Sequence, residues 1–371
     1  MTETAFAAVL TEPRTFDYRE YDLPDIRAEE GLLRVEAAGL CGTDYEQFAG
    51  HLDGTKWDTR PIIPGHEILG HVDRLGRDAA REWSVKEGDR VTVDSSIPCG
   101  RCLHCNSGHE VLCKSGLGYG IRKGCADPPY LWGGYASHMY LHPRARLHPV
   151  PDNIPTDVMS LFNPLSNAVR WMLEKPDMKV GDKVVITGPG QRGLLAVFAA
   201  RLAGAGQIII TGKEEDAHRL KLAAELGADA TINVDREDPV VRVNDLTGGE
   251  RADIVLDVSA FSTEPLIQAL DMVRPGGTIV VAGLKNQKPL EGFVSDRLIL
   301  NEISMLGVLS SGWLAVETSI DMIRRDWKQL QVLCTHGYPV SEAEKAVRVL
   351  GREITDGPEA VHIHLDATQT A

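Results

Sequence analysis

The stretch Lys183-Val-Val-Ile-Thr-Gly188-Pro-Gly190-Gln191-Arg192-Gly193 constrains the fold of this chain more than any other. An apolar run with strand character enters a G-x-G-x-x-G turn, and the turn enters a helical pattern over Leu194–Leu202. The first glycine permits the tight turn, the second lets backbone approach a pyrophosphate, and the third lets the helix pack closely on the strand. A helix that starts there aims the positive end of its dipole at bound phosphate. A strand, this turn and a helix in succession point to dinucleotide binding, with Gly188, Gly190, Gln191, Arg192 and Gly193 around the phosphates.

The neighbouring pattern extends that unit. Strand candidates Lys183–Ile186, Gln207–Thr211, Ala230–Val234, Asp253–Leu256, Thr278–Val281 and Ile303–Val308 alternate with helical stretches such as Ala217–Leu226 and Thr263–Met272. About six strands with helices between them predict a doubly wound, parallel, six-stranded α/β sheet over residues 153–307. Residues 1–152 read differently. Short runs (Phe6–Leu10, Leu32–Ala38, Arg90–Val93, Ala136–Leu141) broken by Gly and Pro predict a β-rich domain with long loops. The tail, 308–371, holds helix candidates Leu314–Arg325 and Glu342–Leu350 and a strand-like Ala360–Leu365. A sheet of six being complete without it, the last strand is expected to rejoin the first domain. A chain of 371 residues suits about two domains.

Cysteine usage points to metal. Cys99, Cys102, Cys105 and Cys113 put four thiols within fifteen residues, and Cys41, Cys125 and Cys334 make the total odd. An odd count with one tight cluster, without an export signal in MTETAFAAVLTEPRTF, argues against a disulfide framework. Four thiolates around one tetrahedral ion suit a closed, structural Zn²⁺ site, which leaves no position for substrate. Iron–sulfur clusters also use four cysteines, but at other spacings.

A second constellation has chemical potential. Cys41-Gly-Thr43-Asp44 and Gly65-His66-Glu67 supply a sulfur and an imidazole suited to zinc acting as a Lewis acid, with Glu67 as a third or mobile ligand. A cation stabilises an alkoxide, which expels hydride readily, and in reverse it polarises a carbonyl. Asp44 is positioned to orient His66 through a carboxylate–imidazole hydrogen bond, and Thr43 offers a hydroxyl for the substrate proton.

These residues resemble those of the zinc-dependent medium-chain dehydrogenase/reductase family, which includes alcohol, sorbitol and threonine dehydrogenases. The likeness spans essentially the whole chain: Cys41-Gly-Thr-Asp, Gly65-His-Glu, the four-cysteine lobe, Gly88-Asp89-Arg90-Val91, Gly133-Gly134-Tyr135-Ala136 and the glycine turn. The resemblance implies a GroES-like catalytic domain interrupted by a Rossmann domain, a tail that returns to the first domain, and an active site in the cleft between domains. It implies one catalytic and one structural Zn²⁺, with Cys41 and His66 as catalytic ligands, Glu67 as a ligand in some conformations, and Thr43 in a proton relay. Two positions depart from the family pattern. Asn163-Pro-Leu stands where sorbitol-type members carry Glu-Pro-Leu; its neutral amide is a poorer zinc ligand, and either it hydrogen-bonds a zinc-bound water, leaving Cys41, His66, Glu67 and solvent as the coordination set, or the site binds metal weakly. Tyr45 and Glu46 stand where many members place the histidine that ends the relay.

The choice between NAD and NADP stays open at this point. The second strand of the dinucleotide domain ends at Gly212-Lys213, which lacks the carboxylate that holds a free ribose 2′-hydroxyl, but Glu214, Glu215 and Asp216 follow at once. The formal net charge of −14 disfavours nucleic acid and anionic membranes as partners, and the run Ile208–Gly212 is too short to cross a bilayer. The expected partner is a small alcohol or its carbonyl product, acted on in the cytoplasm by a homodimer or homotetramer. Trp57 and Tyr130 lie on long loops where aromatic rings would favour a bulky or ring-containing alcohol, or would simply pack the domain; Arg60 and Arg122 are loop cations available to a phosphorylated substrate. The alternatives are a zinc-independent reductase of the quinone or enoyl type, against which Cys41 and His66 count, and a non-catalytic dinucleotide-binding protein.

Overall fold

The computed structural model describes residues 3–369. The extreme residues of the N-terminal stretch read above for an export signal lie outside that range. The chain forms two compact units: one from the residues up to Phe162 together with those from Cys334 onward, the other Asn163–Leu333.

In the first unit the chain lays down β1 (Thr4–Glu12), β2 (Thr15–Asp22), β3 (Gly31–Gly39), β4 (Glu67–Leu75), β5 (Arg90–Val93), β6 (Ser96–Ile97), β7 (Leu117–Gly118), β8 (His138–Leu141) and β9 (Leu147–Pro149). The second unit contributes β10 (Lys183–Thr187), β11 (Gln207–Gly212), β12 (Ala230–Asn233), β13 (Ala252–Asp257), β14 (Val273–Val281) and β15 (Ser304–Gly307). The chain then returns to the first unit with β16 (Cys334–Pro339) and β17 (His362–Asp366).

The first unit is built on a sheet ordered β16-β17-β3-β4-β5-β9, with β8 also on β3, and on the antiparallel hairpin β1–β2. β3 is buried along almost its whole length, and Leu33, Val35, Ile68, Val91, Tyr135 and Leu365 meet in one apolar core. Each such side chain, fully buried, contributes about 1.5–3 kcal/mol. The C-terminal strand β17 pairs antiparallel with β3, His364 opposite Gly39. The β-rich region also contains three short helices, Gly42–Phe48, Arg77–Trp83 and Leu103–Asn106, which the strand-and-loop reading passed over.

The second unit is a six-stranded parallel sheet ordered β12-β11-β10-β13-β14-β15, the 3-2-1-4-5-6 order of dinucleotide-binding sheets. Val185, Ile209, Val255 and Ile279 are fully or almost fully buried, as expected where helices cover both faces. The junctions between units fall later than the sequence pattern set them. The helix Thr156–Met159 packs on β3 and β16 and so stays with the first unit. The helix Trp313–Leu330, placed in the returning tail by pattern, belongs to the second unit and buries the stripe Val316, Ile320 and Ile323.

Candidate functional site

Strand register brings Cys41 and His66 together. β3 and β4 are antiparallel with Gly39 opposite Glu67, so the residues just after β3 and just before β4 emerge at the same end of the sheet. Gly65 sets up the approach to His66. Its φ is +89°, and a Cβ there would lie 2.4 Å from the Tyr135 ring, so only glycine fits. Cys41 precedes the helix Gly42–Phe48 as its N-cap, and its backbone N–H donates to Asp44 Oδ2 at 2.8 Å. That bond locks the first turn.

Cys41 Sγ stands 3.1 Å from His66 Nε2. Donor atoms of Cys41, Asp44 and His66 all lie within 4.8 Å of one another, and the three residues are buried. Zinc bonds of about 2.3 Å to sulfur and 2.0 Å to imidazole nitrogen would separate the two donors by roughly 3.5 Å, so the pair fits a tetrahedral ion with little adjustment. Asp44 Oδ1 is 3.6 Å from His66 Nδ1, longer than a hydrogen bond. The expected carboxylate–imidazole hydrogen bond is therefore a looser charge contact, because the other Asp44 oxygen already accepts from the Cys41 backbone. Glu67 is fully buried, but it lies outside the converging set. Its Oε2 would be 2.6 Å from a Cβ on Gly39, so the absence of a side chain at Gly39 makes room for it.

Tyr135 is a member of this site that sequence reasoning cited only as part of a motif. Burial first, and then the negative charge of Asp44, Cys41 and Glu67, holds its phenol neutral, well above its ordinary value. Thr43 is half-buried in the first helical turn. Asn163 opens the second unit, on the helix Phe162–Val169. It is 7% exposed, and its Oδ1 accepts from Asn167 Nδ2 at 3.3 Å.

The four-cysteine lobe projects between β6 and β7, whose short pairing closes its base. Sγ–Sγ distances are 3.5 Å for Cys102–Cys105, 3.8 Å for Cys102–Cys113 and 3.9 Å for Cys99–Cys105. Four sulfurs at about 2.3 Å from one ion would be roughly 3.8 Å apart, so the lobe is folded to zinc dimensions. Backbone N–H groups, that of Arg101 foremost, draw the Cys99 thiol down to about 6, while burial and the neighbouring Cys102 push Cys105 up to about 11. Thiols this close resist ionising together, and a shared cation removes that conflict.

In the second unit β10 runs into Gly188 (φ +103°), whose N–H donates to Thr211 O at 3.1 Å. The helix Gln191–Leu202 starts from Gly190, and a Cβ on Gly193 would sit 2.0 Å from Gly188 O, so the helix packs as closely as the third glycine predicts. The cradle fits a dinucleotide phosphate: above Gly190 the nearest atom to an added Cβ is Arg219 Nη1, at 4.0 Å. The Arg192 guanidinium lies over the Trp171 ring, 5.4 Å from its centroid. Below the turn, the fully buried Asp257 accepts from Thr187 Oγ1 (2.9 Å), Ser259 N (3.1 Å) and Ser259 Oγ (2.5 Å), and pairs with Lys285 Nζ at 2.7 Å. Sequence reading passed over this pair because its members stand 28 residues apart, one at the end of β13 and the other in the loop after β14. Gly212 ends β11 and Lys213 follows it, exposed.

Of the loop residues weighed for substrate, Tyr130 turns inward. Tyr130 stacks on Tyr21 with centroids 5.3 Å apart and packs on the first core. Arg60 pairs with Asp53 and Asp58, and Arg122 donates to Val111 O.

A six-stranded dinucleotide sheet and two sulfur-bearing clusters of zinc dimensions define the class of a zinc-dependent, nicotinamide-linked dehydrogenase. Comparison with known proteins gives the same answer. Residues 27–152 match the alcohol dehydrogenase GroES-like domain family, and residues 193–325 match the zinc-binding dehydrogenase family. A probable alcohol dehydrogenase of Mycobacterium tuberculosis is 40% identical over 328 residues, covering 85% of this chain and 86% of its own. An erythritol/L-threitol dehydrogenase of Mycolicibacterium smegmatis is 30% identical over 367 residues, covering 97% and 96% of the two chains. The crystal structure of an alcohol dehydrogenase from Thermotoga maritima superposes with a TM-score of 0.88 at 29% identity, covering 98% and 99%. The chain belongs to the zinc-dependent medium-chain dehydrogenase/reductase family and is a zinc- and NAD(P)-dependent alcohol oxidoreductase. Neither a zinc-independent reductase nor a non-catalytic binding protein finds support among these relatives. Among the described residues, no helix is long and apolar enough to cross a membrane.

Proposed function

We propose that Cys41 and His66 hold the catalytic zinc of this alcohol dehydrogenase, that Cys99, Cys102, Cys105 and Cys113 hold a structural zinc, and that Gly188–Gly193 cradle the dinucleotide. The observation that carries the reading is the 3.1 Å approach of Cys41 Sγ to His66 Nε2 among buried acidic neighbours. When bound, zinc supplies a Lewis acid that favours the deprotonated alcohol, and the nicotinamide ring takes or returns the hydride. Cys41 and His66 bring the soft sulfur and imidazole donors. Asp44 fixes the helix start and sets a negative charge beside His66 Nδ1, which keeps the imidazole oriented for its role. Glu67 holds a buried carboxylate in reserve as a further ligand. Thr43 would relay the substrate proton, its hydroxyl accepting that proton as it gives up its own to solvent.

Reduced cysteines throughout, four of them in one metal-shaped lobe, suit the cytoplasm. Self-association as a dimer or tetramer belongs to the same reading. β15 is an edge strand of its sheet, and Ile299, Leu300, Leu309, Trp313 and Leu314 expose apolar surface around it in the sequence. Light scattering of the purified chain tests that point.

The activity is tested by screening alcohols and carbonyls with both cofactors and following nicotinamide absorbance. The expected result is reversible turnover, abolished by a chelator and restored by zinc. Undiminished turnover after complete zinc removal contradicts the proposal.

A further inference from the structure

Tyr135 brings a hydroxyl into the neighbourhood of Cys41, Asp44 and Glu67. It follows the Gly133-Gly134 pair and is fully buried. Its backbone is fixed on both sides: the N–H donates to Pro64 O at 3.0 Å, and the carbonyl accepts from Ala8 N at 2.9 Å. Its ring fills the space that a side chain at Gly65 would need, with Cδ1 at 2.4 Å and Cε1 at 2.9 Å from a Cβ placed there. The ring therefore lies directly against the residue that precedes His66.

Among the described residues, Tyr135 Oη, Asp44 Oδ1 and His66 Nδ1 are all buried and all without a hydrogen-bond partner. Three such groups in one place are unusual, because an unpaired buried polar atom costs more than a typical hydrogen bond gains. They are also complementary. Asp44 Oδ1 accepts through two lone pairs, the phenol donates, and Nδ1 donates whenever Nε2 is the atom that binds a metal. Nδ1 already lies 3.6 Å from Oδ1, while Asp44 Oδ2 accepts from the Cys41 N–H at 2.8 Å. A carboxylate held at one oxygen can still swing the other away from the imidazole, and a second donor on Oδ1 stops that swing. A neutral phenol suits the place. Burial first, and then the negative charge of Asp44, Cys41 and Glu67, keeps the proton on its oxygen, and of those three charges Asp44 acts on it most strongly. Unlike Lys or Arg, a phenol sets no positive charge beside a metal ion.

We propose that Tyr135 is a positioning residue of the catalytic site: its hydroxyl donates to Asp44 Oδ1 and fixes the carboxylate that orients both zinc ligands. The proposal rests on the reading of Cys41 and His66 as the catalytic zinc pair, and it adds a residue that acts on that pair through Asp44.

The test counts zinc in the full chain as chelator concentration is raised, for the native protein and for Tyr135→Phe. Phenylalanine keeps the ring against Gly65 and removes only the hydroxyl. The variant is expected to release one of its two zinc ions at a free chelator concentration about tenfold lower, and to hold the ion of the cysteine lobe as the native protein does. With zinc saturating, kcat should fall about tenfold while the KM for the dinucleotide stays within about twofold. A role in packing alone predicts otherwise, since deleting an unpaired buried hydroxyl leaves zinc retention untouched and thermal melts equal or higher. That result would overturn the proposal. In an Asp44→Asn background the same substitution should change zinc retention by less than about twofold, and a full tenfold loss there would also overturn it. A native protein that holds zinc in the cysteine lobe alone would overturn the Cys41–His66 reading, and this proposal with it.

Discussion

Cys41 caps a helix with its backbone and carries the sulfur proposed to hold zinc, and Asp44 serves both roles through the bond it accepts. The same economy appears at Asp257, where one buried carboxylate collects the strand end, the Ser259 turn and Lys285 beneath the glycine turn. Removing the cation alone leaves that carboxylate buried without its countercharge. Lys285→Met is therefore expected to lower unfolding stability by about 3–5 kcal/mol, measured by urea titration, and to weaken dinucleotide binding. A change below about 1 kcal/mol would show the pair to be dispensable. The residue types at both sites were legible in the sequence, and partner identity was legible only in part. Spacing brought Cys41, Asp44 and His66 forward, but it could not show that Asp44 bonds to the Cys41 backbone rather than to the imidazole, nor that Tyr135 packs against Gly65.

Elements were read best where burial imposes a simple pattern. The parallel strands β10, β11 and β13 are buried on both faces and appear as continuous apolar runs. β2, with the sequence TFDYREYD, is mostly exposed, and its hairpin partner β1 rather than its own pattern makes it a strand. β4 begins with the acidic Glu67 and includes His71 and Arg74, which masked its alternation. The helix Pro239–Leu246 carries a legible start, Asp238 accepting from Val240 N at 2.8 Å, but its β-branched Val-Val-Arg-Val run reads as strand. The four-cysteine lobe shows the opposite case, an element with little secondary structure of its own. It holds a four-residue helix, Leu103–Asn106, and a single 3₁₀ turn, Glu110–Leu112, between two-residue strands. Its order should depend on metal. Chelation is expected to raise amide hydrogen exchange across residues 99–113 while the six-stranded unit keeps its protection. Equal loss of protection in both regions would refute a local role for the lobe.

At the scale of the molecule, a chain that leaves its first unit at Phe162 and re-enters at Cys334 places its last strand in the main sheet of the first unit, β17 on β3. That return strand brings a titratable group into the core. His362 is fully buried, and Ser160 Oγ lies 2.7 Å from its Nε2. Burial first, and then the neighbouring His364, lower its pKa from 6.5 to about 3. Below pH 6.5 the unfolded chain therefore takes up a proton that the folded chain refuses until about pH 3, so this contribution to stability is present above pH 6.5 and is lost as pH falls towards 3. Thermal melts between about pH 6.5 and 4 should fall more steeply for the native chain than for His362→Asn. Identical slopes would show that His362 titrates normally.

The account turns on a second zinc at Cys41 and His66, distinct from the one in the cysteine lobe. Elemental analysis of zinc per chain, run beside turnover, tests it most directly. The native protein is predicted to hold two zinc ions, and Cys41→Ala to hold one, keep its fold and lose at least about 10³-fold in turnover. A Cys41→Ala protein that still binds two zinc ions and turns over at the native rate would contradict it.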